Sequence, residues 1–282
     1  MTHALDFINI ERYPVNAPDS QAYKDMLASI HSDLENDGCA VLKGFVKQET
    51  IADFIADAER TAPFAHASKS RTNAYFTKDD ESLPKDHPRR QFYDRSNAFI
   101  PADNFGSDSP VRVIYEWQPF FDFIRQALQE SQDKFFRYED PLADVIINMA
   151  DEGNGFPWHF DTNNYTVTLA IQNAEEGGDF EYAPNIRKGS ENFDVVRDVL
   201  NGTSPIIKTL KLEPADLQIF KGRYSLHRVA PLKGATPRFV AIFSYVEEPG
   251  MVGSPERTKQ LYGRVLPIHL ERAGKRNDKY ID

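Results

Sequence analysis

The sequence has little cysteine, no excess of basic charge and no long apolar run, and each shortage excludes a class of protein. Cys39 is the only cysteine in 282 residues, so a secreted domain stapled by internal disulfides is excluded. A formal net charge of -10 at pH 7 disfavours general binding to nucleic acid or to anionic membranes. No apolar run is long enough to cross a bilayer, and residues 1–15 do not resemble a signal peptide. We therefore expect a soluble protein of the reducing cytoplasm, without nucleic-acid or membrane partners.

Aromatic residues, by contrast, are plentiful. The chain has 20 Phe and 12 Tyr, and rings of this kind bury enough apolar area for a large core. We find no internal repeat and no low-complexity segment, and β-barrels or sandwiches of this length often fold as one unit. We expect a single domain over residues 1–282, with a helical N-terminal part at 1–142, a jelly-roll core at 143–246 and a helical C-terminal extension at 247–282. The pattern leaves the oligomeric state open.

Helical periodicity dominates the first half of the sequence. Apolar residues recur there at spacings of three and four, which indicates amphipathic helices. Between residues 63 and 110 the sequence is polar, rich in Pro, Asn, Asp and Ser, and lacks clear periodicity, so we expect an irregular segment that forms a lid or a substrate wall. The predicted elements are a helix capped by Asp19 or Ser20 and ended by Gly38, a strand over 39–45, and helices over 48–60 and 119–132.

From Ala143 onwards the period of the apolar residues changes from about 3.6 to about 2, which indicates strands. Many short strands separated by glycine- and proline-bearing turns predict a mainly β fold with flanking helices. The expected core is a double-sheet jelly roll of the cupin type, with a small-ligand site between the sheets. The predicted strands cover residues 143–150, 164–172, 178–183, 206–212, 216–220, 224–229 and 237–246, and a C-terminal helix is predicted to start at Ser254 and Pro255.

A pair of metal-ligand types, His159 and Asp161, lies two residues apart in the segment 156–164. Side chains two apart on an extended segment share a face, so both can bind one ion from one side. His227, in a second predicted strand, supplies a third candidate ligand. Two imidazoles and one carboxylate form the facial triad of non-haem Fe(II) oxygenases, which leaves three coordination positions open. The absence of a neighbouring cysteine disfavours structural zinc.

Arg238 lies on a strand whose alternate positions carry Val240, Ile242 and Ser244. If that face points into the barrel, a guanidinium lies in a largely apolar cavity, which is costly unless an anion meets it. A dicarboxylate co-substrate would provide that anion through a bidentate pair. An ordinary salt bridge with an internal acid is the alternative.

A His-x-Asp pair alone is weak evidence, so the metal hypothesis depends on the two histidines, the aspartate and this arginine occurring together.

These four residues resemble the Fe(II)/2-oxoglutarate-dependent oxygenases, with the resemblance extending over residues 143–246. Within that family, the segments 159–165, 176–187 and 226–229 are similar to enzymes that act on free amino acids such as lysine, a group of radical halogenases and their hydroxylase relatives. The halogenases carry glycine or alanine in place of the carboxylate ligand, which leaves room for chloride on the iron. Asp161 fills that position, so the resemblance implies a hydroxylase.

The resemblance also implies Fe(II), 2-oxoglutarate and O2, with decarboxylation to succinate and hydroxylation of an unactivated C–H bond in a free, basic or polar amino acid such as lysine. 2-Oxoglutarate would chelate the iron through its C1 carboxylate and keto oxygen and place its far carboxylate on Arg238. Asn148 and Thr168, on the strands entering and leaving the metal motif, are further candidate co-substrate contacts. Each is equally well explained as a polar residue hydrogen-bonded within a sheet.

Three residues are candidates for substrate recognition. Asp144 shares a face with Asn148 by the period of two, so if Asn148 points into the barrel we expect Asp144 to do so too and to pair with an amine. Arg95, late in the irregular segment, is expected to bind a carboxylate, with an ordinary pair to Asp94 or a surface acid as the alternative. Trp158, next to the first metal ligand, either walls the pocket or packs in the core, and packing is favoured.

Two other functions stay open. One is the same cofactor chemistry on a carrier-tethered residue, a peptide-bound residue or another small metabolite. A tethered substrate should need an exposed groove. A non-catalytic cupin-like protein that binds a metal or a small ligand is the other, and it would not need all four matched residues.

Overall fold

Two antiparallel sheets form the frame of the protein in the computed structural model, which describes residues 3–272. The larger sheet has the strand order β1-β11-β7-β14-β5-β3-β2 and the smaller one β10-β9-β12-β6, with two-stranded ribbons β13-β8 and β15-β4. The strands are β1 (Cys39–Leu42), β2 (His66–Thr72), β3 (Tyr93–Ile100), β4 (Phe136–Arg137), β5 (Val145–Ala150), β6 (Phe156–His159), β7 (Thr166–Gln172), β8 (Glu176–Gly177), β9 (Phe180–Ala183), β10 (Lys208–Leu210), β11 (Leu217–Phe220), β12 (Leu226–Val229), β13 (Leu232–Lys233), β14 (Arg238–Phe243) and β15 (Tyr245–Val246).

Helices flank these sheets, and the mainly β jelly-roll fold with flanking helices is confirmed. The helices are α1 (Ala4–Phe7), α2 (Gln21–Asp37), α3 (Ile51–Thr61), α4 (Pro110–Glu116), α5 (Gln118–Ala127), α6 (Phe193–Leu200), α7 (Pro255–Tyr262) and α8 (Pro267–Glu271). Over residues 3–272, no helix combines the length and the apolar character needed to cross a membrane.

Because successive side chains along a strand point to opposite faces, one face of a strand packs in the core and the other lines a cavity. Val167 and Leu169 on β7 pack in the main core with Phe120 of α5, whereas Thr166 and Thr168 on the opposite face line a cavity between the sheets. Burying a side chain such as Leu contributes about 1.5–3 kcal/mol, so this alternation fixes the register of the strand. The N-terminal helices thus cover one face of the larger sheet and leave the other free for ligands.

Local signals set the helix ends. The Ser20 hydroxyl accepts a hydrogen bond from the backbone N–H of Tyr23 (3.1 Å) and caps α2. Gly38 ends that helix in a left-handed conformation, with φ of 63°. Ser254 caps α7 in the same way as Ser20, and Pro255 occupies its first turn. These predicted boundaries are confirmed.

The prediction of an irregular segment over 63–110 is wrong in part, because β2 and β3 form a hairpin there that extends the larger sheet through β5. The strands escaped sequence analysis because β3 turns polar side chains, Arg95 and Asn97, towards the interior and so lacks apolar alternation. The helix predicted over 119–132 also differs. The observed helix, α5, has Pro119 in its first turn and ends at Ala127, short of residue 132. Helix α4, which precedes it, was not predicted. Helix α6 was not predicted.

The predicted C-terminal extension contains α7 and α8 over the described part of its range. Residues 273–282 of that prediction lie outside the described residues.

Candidate active site

A cavity of about 230 Å³ lies between the two sheets, and His159, Asp161 and His227 all line it. Strand β6 ends at His159 and pairs with β12, so that His159 and His227 are direct neighbours across the two strands. Each histidine Nε2 atom lies 3.4 Å from Oδ1 of Asp161. One ligand atom from each residue lies within 4.8 Å of the others. His227 therefore converges with the distant pair of His159 and Asp161 on one point.

Backbone carbonyls orient both imidazoles. Nδ1 of His159 lies 2.8 Å from the Pro157 carbonyl, and Nδ1 of His227 lies 2.9 Å from that of Ser225. A carbonyl only accepts, so each Nδ1 carries the proton and each Nε2 presents its lone pair towards Asp161. Burial, reinforced by the neighbouring His227, lowers the pKa of His159 to about 4. His159 is therefore neutral at pH 7, the form that binds a metal ion.

Asp161 is held by two groups that sequence analysis missed. The Thr166 hydroxyl donates to Oδ2 of Asp161, and the Asp161 backbone N–H donates to the Gly222 carbonyl at 3.1 Å. A Cβ atom on Gly222 would lie 1.8 Å from that same Oδ2, so only glycine leaves room for the carboxylate. Burial acts to raise the pKa of Asp161, but the facing rings of His227 and His159 outweigh it and hold that pKa well below its usual range.

Arg238, at the start of β14, is 6% exposed and lines the cavity. Among residues 3–272 no carboxylate forms an ion pair with it, so the predicted alternative of an internal salt bridge is not observed there. Burial lowers its pKa to about 10. A buried guanidinium without a protein anion fits a ligand carboxylate.

Thr168 and Asn148 also line the cavity, each with a protein hydrogen bond. The Thr168 hydroxyl donates to Oε1 of Gln218 at 3.1 Å, and Gln218 in turn donates to the Cys39 thiol at 3.4 Å. Asn148 donates to the Ala98 carbonyl at 3.2 Å. Asn148 keeps a second amide N–H for a ligand oxygen, and the Thr168 hydroxyl donates to a ligand only by turning away from Gln218. Gln218 was missed, although the alternation along β11 places it on the inner face. Arg238, Thr168 and Gln218 together are termed the β14 wall.

Arg95, on β3, is 4% exposed and lines the same cavity. Its guanidinium carbon lies 4.2 Å from the ring centroid of Phe156 and 5.0 Å from that of Phe76. Its Nε and Nη1 atoms have no hydrogen-bond partner in the structure. The neighbouring Asp94 has a side chain 90% exposed and lies beside Arg71 instead. The Arg95 donors are therefore available to a ligand in the cavity.

Two predicted substrate contacts do not reach the cavity. The carboxylate of Asp144 binds the guanidinium of Arg112 and accepts the Val145 backbone N–H at 2.7 Å. The expectation that Asp144 points into the barrel is wrong, because β5 begins only at Val145 and the alternation seen at Asn148 stops there. Trp158 faces away from the ligand side of β6 and packs with Phe160 and other residues of a separate apolar cluster, so it is a core residue.

Sequence analysis missed the residues that close the cavity opposite the sheets. Phe76, in the turn after β2, and Arg257 and Thr258, on α7, all line it. Phe76 has a φ of 58°, a left-handed conformation that an aromatic residue rarely adopts. One sequence signal pointed to this site: Arg257 is a basic residue in the first turn of the predicted C-terminal helix. Phe76, Arg95, Arg257 and Thr258 are termed the cationic wall.

Comparison with known proteins gives a family and a fold. A family model described as Halogenase D matches residues 22–259, and no curated protein matches the sequence. Three solved structures are similar: the non-heme α-ketoglutarate-dependent epimerase SnoN from nogalamycin biosynthesis (12% identity, TM-score 0.56, 79% of this chain and 83% of SnoN); AviO1 from Streptomyces viridochromogenes Tue57 (16%, 0.53, 81% and 97%); and an oxidoreductase of the 2OG-Fe(II) oxygenase family from Burkholderia pseudomallei (12%, 0.50, 78% and 90%). At these identities the structural likeness shows the fold.

Proposed function

The chain belongs to the halogenase D family, among the Fe(II)/2-oxoglutarate oxygenases, and from that premise we propose that it hydroxylates a free amino acid. The observation that carries the proposal is the convergence of His159, Asp161 and His227 on one point, in a cavity also lined by Arg238, which has no carboxylate partner among residues 3–272. A non-catalytic binding protein would need the three ligands but not this guanidinium.

The donor set fits Fe(II). Two neutral imidazole nitrogens and one carboxylate oxygen are the donors of the facial triad, and they leave positions for a chelating co-substrate and for dioxygen. When bound, Fe(II) with 2-oxoglutarate and O2 supplies the oxidising power to convert a C–H bond to C–OH, with succinate and CO2 as the other products. Arg238 binds the far carboxylate of 2-oxoglutarate, and Thr168 and Asn148 orient it. The surrounding aromatic side chains limit the access of water.

Asp161 favours hydroxylation over halogenation. The family resemblance described above associates halogenation with glycine or alanine at this position, which frees a coordination site for chloride. Thr166 and Gly222 instead hold a carboxylate against the two histidines. The proposed product is therefore an alcohol.

A free amino acid matches the size and polarity of the site. The cavity, at about 230 Å³, is smaller than most pockets that bind small molecules, which favours a small substrate, and Arg95 offers donors without a partner among residues 3–272 for a carboxylate. We treat the chain as one domain because helices α1 to α5 share the main core with the larger sheet. The buried free thiol of Cys39 accords with a cytoplasmic location.

Mass spectrometry tests the proposal. Protein loaded with Fe(II) without oxygen is then exposed to O2, 2-oxoglutarate and a pool of the twenty amino acids. We expect one pool member to gain one oxygen atom, with an equal amount of succinate. Asp161→Ala should form no alcohol, whereas the exposed Asp94→Ala should match the wild type. If iron and 2-oxoglutarate bind but no amino acid gains oxygen, the substrate class is wrong; if neither binds, the cofactor assignment fails.

A further inference from the structure

The cationic wall carries two guanidinium groups against one aromatic ring. The guanidinium carbon of Arg95 lies 5.0 Å from the Phe76 ring centroid, and that of Arg257 lies 4.3 Å from it. The left-handed backbone of Phe76, with a φ of 58°, is a strained conformation of the kind retained at ligand sites. It places the ring where it contacts both cations.

Neither guanidinium forms an ion pair within the described part of the chain, although the charge of Asp161 acts on both at longer range. Arg257 donates to Oε1 of Gln260 at 3.3 Å, and Nε and Nη1 of Arg95 have no hydrogen-bond partner there. No carboxylate of residues 3–272 forms an ion pair with either group. Burial, and next the charge of Arg257, hold the pKa of Arg95 well below its usual range. Arg95 is buried and Arg257 is partly exposed, and two like charges against one ring are stabilised by an anion between them.

The carboxylates that line the cavity are already committed. Asp161 is a proposed metal ligand. Asp140, which is fully buried, accepts from the backbone N–H groups of Leu142 and Gly253, at 2.9 Å each, and lies 3.0 Å from Nε2 of His269. The acid predicted to meet an amine, Asp144, binds Arg112. The lining therefore offers no free acid to a basic side chain.

The charge balance of the site with iron and 2-oxoglutarate bound also argues against a basic substrate. Under the proposed function, the formal charges of Fe(II), Asp161, 2-oxoglutarate and Arg238 cancel, so Arg95 and Arg257 set the charge around the substrate. A lysine-type substrate would add a third cation, and a neutral amino acid would leave the excess unchanged. An amino acid with an acidic side chain reduces it.

We propose, resting on the function above, that the substrate is an amino acid with an acidic side chain, whose two carboxylates bind Arg95 and Arg257. The Thr258 hydroxyl, which lines the cavity and has no hydrogen-bond partner among residues 3–272, accepts from the substrate ammonium group. The reaction is that of the proposed function: a C–H bond becomes C–OH, O2 supplies the oxygen, and 2-oxoglutarate is oxidised to succinate and CO2. The basic substrate expected from the sequence is replaced by one of opposite charge.

Calorimetric titration tests this inference without turnover. Protein holding Mn(II) and 2-oxoglutarate is titrated with L-glutamate, L-glutamine, L-aspartate, L-asparagine and L-lysine, since each acid and its amide differ little in shape. We expect one of the two acids to bind at least ~10-fold more tightly than its amide and than lysine. Arg257→Gln should weaken binding of that acid by about 30-fold and remove its advantage over the amide, with unchanged affinity for 2-oxoglutarate.

Controls separate charge from folding. Arg257→Lys keeps the charge and should retain the preference for the acid, and the exposed Lys259→Gln on the same helix should behave as wild type. Thermal unfolding checks that each variant is folded. If lysine or an amide binds as tightly as the acids and is hydroxylated, the inference is overturned and the proposed function stands. If 2-oxoglutarate binds but no amino acid binds or reacts, the proposed function fails and the inference fails with it.

Discussion

The β14 wall and the cationic wall line the same cavity but are built differently. The β14 wall lies on neighbouring strands of the larger sheet, and Thr168, Gln218 and Cys39 form a continuous hydrogen-bonded chain there. The cationic wall combines a hairpin strand, a turn and a helix. With the adjacent Asn97, it holds five of the nine buried side-chain polar atoms that lack a hydrogen-bond partner in the described structure. In the first wall only Arg238 lacks a protein partner among residues 3–272, whereas in the second both Arg95 and Thr258 have unpartnered polar atoms. We therefore expect a ligand to complete the second wall.

This difference in construction matches the two ligands that we assign to the walls: 2-oxoglutarate to the β14 wall and the amino-acid substrate to the cationic wall. A co-substrate shared across a superfamily suits a wall on rigid strands, because the strands fix its geometry before binding. A substrate that differs between enzymes suits a wall that includes a turn and a helix outside the sheet, because such segments vary more freely. We therefore expect substitutions in the two walls to alter different kinetic constants.

We expect the largest effect from displacing Asp161, the metal ligand between the two walls, because both walls depend on the site that it forms. Gly222→Ala places a Cβ atom against Oδ2 of Asp161, so the carboxylate must move. We expect Fe(II) affinity and hydroxylation to fall by about 100-fold, as measured by metal titration and product formation. Gly202→Ala is the control: its φ of 71° makes it strained, but nothing lies within 4 Å. It should lose stability and keep its affinity for iron, and an equal loss of affinity in both variants would contradict the account.

Arg238→Gln should break the β14 wall alone. Removing the partner of a buried carboxylate costs roughly 2–5 kcal/mol, so we expect the KM for 2-oxoglutarate to rise by ~100-fold while the KM for the amino acid changes little. Steady-state kinetics with each reactant varied gives both constants. Arg228→Gln is a matched control on β12, because Arg228 pairs with Glu181 and covers Trp158 outside the cavity. An unchanged KM for 2-oxoglutarate in Arg238→Gln would contradict the assignment.

Arg95→Gln should break the cationic wall alone. We expect the KM for the amino acid to rise by about 30-fold and the KM for 2-oxoglutarate to stay the same, because a single charged contact to substrate is lost. The same kinetic experiment measures it. Arg71→Gln, an exposed position on the same hairpin, should have no effect. A rise in the 2-oxoglutarate constant instead would show that Arg95 belongs to the other wall.

Thr168→Val should give the smallest effect and sharpen the comparison. It removes one neutral hydrogen bond, worth about 1 kcal/mol, and should raise the KM for 2-oxoglutarate by about 5-fold without altering the constant for the amino acid. The exposed Thr209→Val on β10 serves as the control. A larger effect on the amino acid than on 2-oxoglutarate would argue against the division between the walls.

The two walls also differ in how far the sequence predicts them. Alternation along β7 and β14 places Thr168 and Arg238 on the inner face, and the spacing of His159 and Asp161 predicts their shared side. The cationic wall depends on contacts between segments distant in sequence: the turn at Phe76 and the first turn of α7 meet only in the folded chain. Arg95 was predicted from its residue type alone, and its strand was missed because its inward face is polar. Asp144 shows the limit of alternation, which stops where the strand begins.

The central claim is that His159, Asp161 and His227 bind a single iron ion beside the 2-oxoglutarate site. Titration with Fe(II) in the absence of oxygen, followed by addition of 2-oxoglutarate, tests it through metal content and the visible charge-transfer absorption of the chelated co-substrate. We predict one Fe(II) per chain, absorption that forms on adding 2-oxoglutarate, and loss of both in His227→Ala. Wild-type protein that binds no iron, or His227→Ala that binds iron and develops the absorption as the wild type does, would contradict the claim.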